Sequence, residues 1–362
     1  METSGTTPAL ESPLARAHAR AGAKMGTWFG CALPDDFGDA PAELRFAKES
    51  VALIDKNHRA YLSFTGPDRV RYLNAILTNN IKDLSAGHGN VSLLLNPQGH
   101  ILAEIETYAF AEKLFCLSYA MIRGQLIEWL DKYIIMDDVT LTDETARYGT
   151  LALEGPKAAA VVRDVAGADI GPFAELSSHE GAVNAIPCRI VKRSPGGVAG
   201  AEFVVERESL QELWQILLAA ARKQGGGAMG YTALSARRLE LSVPWFGYDF
   251  GEKQIPHEAG LQDSHISYTK GCYTGQEIVE RVRSRGQVNR RRVELVLAAD
   301  VVPEAGAVLT ADGKEVGHVT RAAKTCDPPR IIGMGYVRRE SSAPGTVLQW
   351  ANGTATVLPF PV

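Results

Sequence analysis

No apolar run in this chain approaches the ~18 consecutive residues of a membrane-spanning helix, and the N-terminus has no apolar core of the kind a signal peptide needs. A soluble, cytoplasmic protein is the expectation. Cysteine is sparse: Cys31, Cys116, Cys188, Cys272 and Cys326 are an odd number, with more than 50 residues between neighbours. That spacing excludes a disulfide framework and any C-x-x-C of the zinc or ferredoxin kind. The eight histidines lack metal-ligand spacing, so no metal site is expected from this chain alone. There is no G-x-x-x-x-G-K-[ST] phosphate loop and no G-x-S-x-G nucleophile elbow, and Gly225-Gly226-Gly227 does not stand between a strand and a helix as a dinucleotide loop would. An excess of basic charge is also missing. The net charge of −4 gives no global attraction to nucleic acid.

What is present is ordinary globular composition, 45% hydrophobic and 22% charged, over 362 residues. That length exceeds one core and implies two or three domains. Met1 to about Lys24, rich in Ala, Ser, Thr and Arg, reads as a frayed tail. Val51–Asp55 is a short apolar strand. Residues 60–65 alternate like a strand, Gly66-Pro67-Asp68 turns, and Arg69–Ile76 has helical periodicity. The same strand, Gly-Pro turn and helix recur 89 residues later, at 147–154, Gly155-Pro156 and 158–165. A second strand-to-helix pair, 114–118 into 125–130 and 202–206 into 211–217, repeats at nearly the same offset. Duplicated α+β lobes follow, occupying residues 25–285. Gly225–Gly227 reads as a hinge or loop, and 232–241 as a helix. From about Gly286 to the end, short strands at 293–297, 316–320, 331–337, 346–350 and 355–358, separated by Gly, Pro and Asp turns, suit an antiparallel β-barrel.

The stretch Lys270-Gly271-Cys272-Tyr273-Thr274-Gly275-Gln276-Glu277 stands out. Thr274 and Glu277 have capping-box spacing, which predicts a helix starting at Gly275 and stopping at Gly286. Cys272 would lie beside the positive end of that helix, with Lys270 near it, and both features favour a thiolate. The competing reading is a small buried hydrophobe in a glycine-rich turn. Arg281, Arg283, Arg285, Arg290, Arg291 and Arg292 follow within twelve residues, as an anion-binding patch or as a solvated helix face leading into a strand.

These eight residues resemble the K-G-C-[FY]-x-G-Q-E motif of the YgfZ-type folate-binding proteins, relatives of the glycine-cleavage T-protein (aminomethyltransferase). The wider resemblance runs from about Val51 to the C-terminus. It implies a three-lobed fold, with ferredoxin-like α+β lobes and a C-terminal barrel around a tetrahydrofolate site. Glu202, in Gly200-Ala201-Glu202-Phe203, aligns with the glutamate that pairs with the pterin, with Glu206 a weaker candidate. Arg238 matches the R-L-E helix that lines the folate site, and Asp249 lies in the Gly247-Tyr248-Asp249 loop after it. Pro256–Leu261 resembles a segment shared across the superfamily. Asn96 to Glu104 resembles the N-x-x-G-G-[IV]-x-D-D segment, but Ala103-Glu104 replaces the two acids, which sets aminomethyl transfer apart from folate binding. The resemblance implies a role in iron–sulfur cluster assembly or repair, with iron–sulfur proteins or assembly factors as partners. It makes Cys272 the reactive thiolate and leaves Lys270, Gln276 and Glu277 shaping its loop. The alternative it carries is a folate-dependent aminomethyltransferase.

Overall fold

The computed structural model describes residues 10–359. Its first half runs strand Arg59–Thr65, helix Arg69–Ile76, strands Gly89–Leu95, Ile101–Ala109 and Leu114–Tyr119, helix Arg123–Asp131 and strand Thr140–Asp143. The second half repeats that order: Tyr148–Glu154, Ala158–Ala166, Ser178–Val183, Ile186–Lys192, Gly200–Glu206, Leu210–Lys223 and Gly227–Ala228. The spatial order repeats as well. In each sheet the second, third, fourth and first strands lie side by side, with the last strand at the far edge. The one departure is Ala52–Asp55, which enters the second sheet between Tyr148–Glu154 and Gly227–Ala228.

Both Gly-Pro turns need glycine for the same reason. Gly66 and Gly155 have φ of +95° and +134°, and a Cβ there would fall 2.2 Å from the Asp138 carbonyl oxygen and 2.5 Å from that of Ser50. Helix Leu210–Lys223 buries Leu210, Leu213, Trp214, Leu217, Leu218 and Ala221, an i, i+3/i+4 stripe that packs on its sheet beside Val161 and Val162 of the preceding helix. The two sheets meet face to face. Tyr61, Tyr108, Phe115 and Leu117 of the first pack against Val191 and Val204 of the second, and the Tyr61 and Thr150 hydroxyls lie 2.6 Å apart.

The C-terminal lobe is a closed antiparallel barrel of six strands: Arg290–Ala298, Pro329–Arg338, Lys314–Cys326, Val308–Ala311, Val347–Trp350 and Gly353–Val357. Val308–Ala311 is the strand that sequence patterning missed. Its signal was the Asp312-Gly313 pair, whose φ angles of +49° and +73° make the tight turn of a hairpin. The barrel starts at Arg290 and sits on helix Tyr231–Glu240, with Leu239 packed against Ile332 and Met334.

Three expectations change. Residues 10–24 of the supposed tail are structured: Leu14 is buried just before helix Ala15–Arg20, the helix buries His18, and His18 Nε2 is 2.7 Å from Asp55 Oδ2 with its ring edge-on to Trp214. The rest of the tail, residues 1–9, lies outside the described residues. Of the expected hinge or loop, Gly225 and Gly226 form a loop but no hinge, because Gly227 pairs in the sheet and a Cβ at Gly226 would stand 2.0 Å from the Val51 carbonyl oxygen. Asp249, expected at the ligand, instead fastens the barrel. It is fully buried, accepts from Trp245 N at 2.8 Å and Thr320 Oγ1 at 2.8 Å, and meets Arg321 Nη2 at 2.6 Å. The same guanidinium donates to Ser235 Oγ and lies 4.2 Å from the Trp245 ring centroid.

Removing one partner of such a buried pair strands the other charge in a low dielectric. Asp249→Ala should therefore lower unfolding free energy by about 3–5 kcal/mol, read from denaturant midpoints, and hydrogen exchange should show the barrel opening first.

Candidate functional site

A cavity of about 460 Å³ lies where the two sheets, helix Tyr231–Glu240 and the edge of the barrel converge. Of the residues the sequence singled out, it gathers Glu202, Arg238, Glu104 and, from the arginine cluster, Arg292. Glu202 reaches it because strand Gly200–Glu206 alternates, with Phe203 and Val205 in the helix-facing core and Glu202 and Val204 on the opposite face.

The buried charges are matched in pairs. Arg59 holds both oxygens of Glu202, Nη1 to Oε2 at 2.5 Å and Nη2 to Oε1 at 3.0 Å. Arg193 meets Glu106 at 3.0 Å, and Arg238 Nη2 meets Glu154 at 2.5 Å. Burial opposes ionisation of Glu106, but Arg193 and Arg59 outweigh it and hold its pKa at about 2. Glu154 is likewise shifted down, burial being overcome by Arg238. Glu104 accepts from Tyr119 Oη at 2.7 Å and lies 3.0 Å from His265 Nε2. Arg238 Nη1 is buried and has no hydrogen-bond partner among the described residues.

Aromatic rings complete the wall. Phe29 stacks on His58 with centroids 4.4 Å apart and on Tyr119 at 5.3 Å, while Trp245 stands edge-on to Phe29 at 5.2 Å. Burial, with Lys56 and Arg59 nearby, pushes the His58 pKa well below its usual value, so the ring is neutral. Lys56 lines the same cavity, and burial lowers its ammonium to about pKa 8. Sequence reasoning missed Phe29, Lys56, His58, Arg59, Tyr119 and Arg193. One signal was available: Asp55-Lys56-Asn57-His58-Arg59 is a polar run directly after the apolar strand Ala52–Asp55.

The other nominated residues do not line this cavity. Asn96 is a turn-maker, its Oδ1 accepting from Gln98 N at 3.0 Å and His100 N at 2.9 Å. Helix Gln276–Arg285 begins after Gly275 in the left-handed conformation, with no side-chain cap, so the Thr274/Glu277 capping box does not form. Glu277 is exposed and pairs with Arg281 at 2.8 Å, and Gln276 opens the first turn beside it. Gly286, at φ +65°, ends the helix as expected. Cys272 is exposed rather than buried. Lys270 donates to the Asn74 and Leu77 carbonyls at the end of helix Arg69–Ile76, which ties down the cysteine loop. Burial lowers its pKa to about 8. The arginine cluster resolves mostly into a solvated face and a strand: Arg281 and Arg283 pair within their own helix, Arg290 with Glu258 and Arg292 with Glu294.

The Lys56 shift has a definite sign. Its pKa is about 8 when folded and near 10.5 when unfolded, so between those values the unfolded chain binds the extra proton and stability rises with pH. Lys56→Met should remove that contribution. The variant's stability relative to wild type should be most favourable at pH 7 and should decline from pH 8 to 10.5, checked by thermal melts of both proteins across the range.

Residues 14–265 match the GCVT N-terminal domain family, and residues 290–360 the glycine cleavage T-protein C-terminal barrel domain. The chain is 26% identical over 332 residues to the aminomethyltransferase of Streptomyces avermitilis, covering 91% of this chain and 89% of that protein. It is 26% identical over 346 residues to the aminomethyltransferase of Shouchella clausii, covering 95% and 94%. The fold superposes on the crystal structure of glycine cleavage system aminomethyltransferase T from Bartonella henselae with a TM-score of 0.88 over 97% of both chains, at 23% identity. The matched N-terminal region carries every residue of the cavity wall except Arg292, and the matched barrel closes behind it: the chain belongs to the glycine cleavage T-protein family.

Proposed function

We propose that the cavity binds tetrahydrofolate and that the chain is of the YgfZ type, coupling folate binding to assembly or repair of iron–sulfur clusters through Cys272. The observation that carries the first part is the enclosure of Glu202 among flat rings and cations. A pterin offers a planar face and an amino-pyrimidine edge; Phe29, Tyr119 and Trp245 supply ring surfaces and Glu202 a buried two-oxygen acceptor. The glutamate tail of a folate needs cations, and Arg238 has an unused buried N–H group while Lys56 faces the same space. When bound, tetrahydrofolate would supply a nitrogen that accepts or donates a one-carbon unit. The protein's part is to orient the ring and exclude water.

The second part rests on the accessible thiol of Cys272 within the K-G-C-Y-x-G-Q-E stretch. Cys31, Cys116 and Cys188 are buried, and burial raises all three thiols, so they are poor nucleophiles at neutral pH. One observation favours the alternative, aminomethyl transfer. Of the pair at the position of the two acids, Ala103 is in the core while Glu104 faces the cavity, so a carboxylate is present there, held by Tyr119 and His265.

Calorimetric titration with tetrahydrofolate tests the binding reading. Glu202→Gln should weaken binding by about 1.5–3 kcal/mol, the value of a hydrogen bond to a charged group; unchanged affinity in a folded variant would refute the assignment. Cys272→Ser should leave that titration intact yet fail to restore a cluster-dependent enzyme in cells lacking the native protein. Turnover with an aminomethylated lipoyl carrier protein would favour the alternative.

A further inference from the structure

Both oxygens of Glu202 are occupied within the chain itself. The Arg59 guanidinium presents two parallel N–H groups to them at 2.5 and 3.0 Å, and the two side chains are 9% and 3% exposed. A 2-amino-4-oxopyrimidine edge presents the same array, a ring N–H beside an exocyclic amino N–H. Two forked donors cannot span the two oxygens from the side where their lone pairs converge; a displaced fork is left only the diverging outer lone pairs. The guanidinium is also the stronger partner, since it carries a full charge into a buried site whereas the pyrimidine edge is neutral.

We propose that Arg59 is a built-in competitor for the ligand edge at Glu202, which becomes free when the guanidinium transfers to Glu106. This inference rests on the reading of the cavity as a folate site. Glu106 is the berth within reach: it stands on the same sheet as Arg59, and its Oε1 already lies 3.5 Å from Arg59 Nη2. It is kept ionised by Arg193 and Arg59 together, so it can take a second cation without a change of protonation. The competition makes Arg59 a specificity-determining residue. A ligand gains Glu202 only if it offers a two-donor edge good enough to replace a guanidinium, and a flat ring lacking the 2-amino group cannot.

The test is a comparison of Arg59→Ala and Arg59→Lys with wild type, using tetrahydrofolate in calorimetric titrations and thermal melts with and without it. Without ligand, Arg59→Ala should melt below wild type, because Glu202 loses its partner. Its affinity for tetrahydrofolate should be at least tenfold higher than that of wild type, and saturating ligand should close the gap in melting temperature. Arg59→Lys keeps the charge but not the fork, so its affinity should fall between the two, and it serves alone if the alanine variant does not fold. Equal or weaker binding by the variants, with binding by wild type intact, overturns the competition and leaves the folate site standing. No binding to any of the three overturns the folate reading and this inference with it.

Discussion

The buried ion pairs around the cavity and beneath the barrel each join two different parts of the fold. Arg59 of the first sheet closes on Glu202 of the second; Arg193, just beyond the second sheet, closes on Glu106 of the first. Glu154 of the second sheet meets Arg238 on the helix beneath the barrel, and Asp249 meets Arg321 of the barrel itself. A buried ion left alone costs several kcal/mol, so displacement of any lobe is opposed by a stranded charge as well as by lost apolar contact. The apolar cores could tolerate some sliding between sheets; the forked guanidinium–carboxylate geometry cannot. The cavity wall and the joints between lobes are therefore built from the same residues.

Much of the architecture was legible because duplication multiplies a weak signal. One Gly-Pro turn between a strand and a helix says little, but its recurrence 89 residues later with the same flanks fixed the two halves, and the repeated positive φ at Gly66 and Gly155 gives the physical reason. The barrel strands were readable from apolar runs cut by turns, except Val308–Ala311, which is only four residues long. What failed was inference from spacing to contact. Thr274 and Glu277 have the separation of a capping box, yet Gly275 adopts the left-handed conformation and turns the chain before the helix begins. Residues 10–20 look like a tail by composition, but Leu14 and His18 are held by tertiary partners that no local pattern reveals.

The site divides along the same line. Glu202, Arg238 and Glu104 were identified through a family resemblance and do converge, since a fold match carries strand register with it. Asn96 and Asp249 came from the same resemblance and serve structure instead, one making a turn and the other anchoring the barrel. For Arg59 and Lys56 the sequence offers only a polar run after an apolar strand, with nothing to say what it faces. Their importance depends on a strand from one half of the chain being inserted into the sheet of the other, a non-local fact.

That inserted strand, Ala52–Asp55, breaks the internal symmetry of the molecule. The segment from Lys56 to His58 leaves the second sheet and enters the first at Arg59, so it crosses between the halves once and has no counterpart at the corresponding edge, where Arg59–Thr65 pairs directly with Thr140–Asp143. A fold made of two equivalent halves could have offered two equivalent pockets related by its pseudo-symmetry. Because that crossing supplies Lys56, His58 and Arg59 to the cavity between the sheets, the cavity draws on residues that the pseudo-symmetry does not repeat.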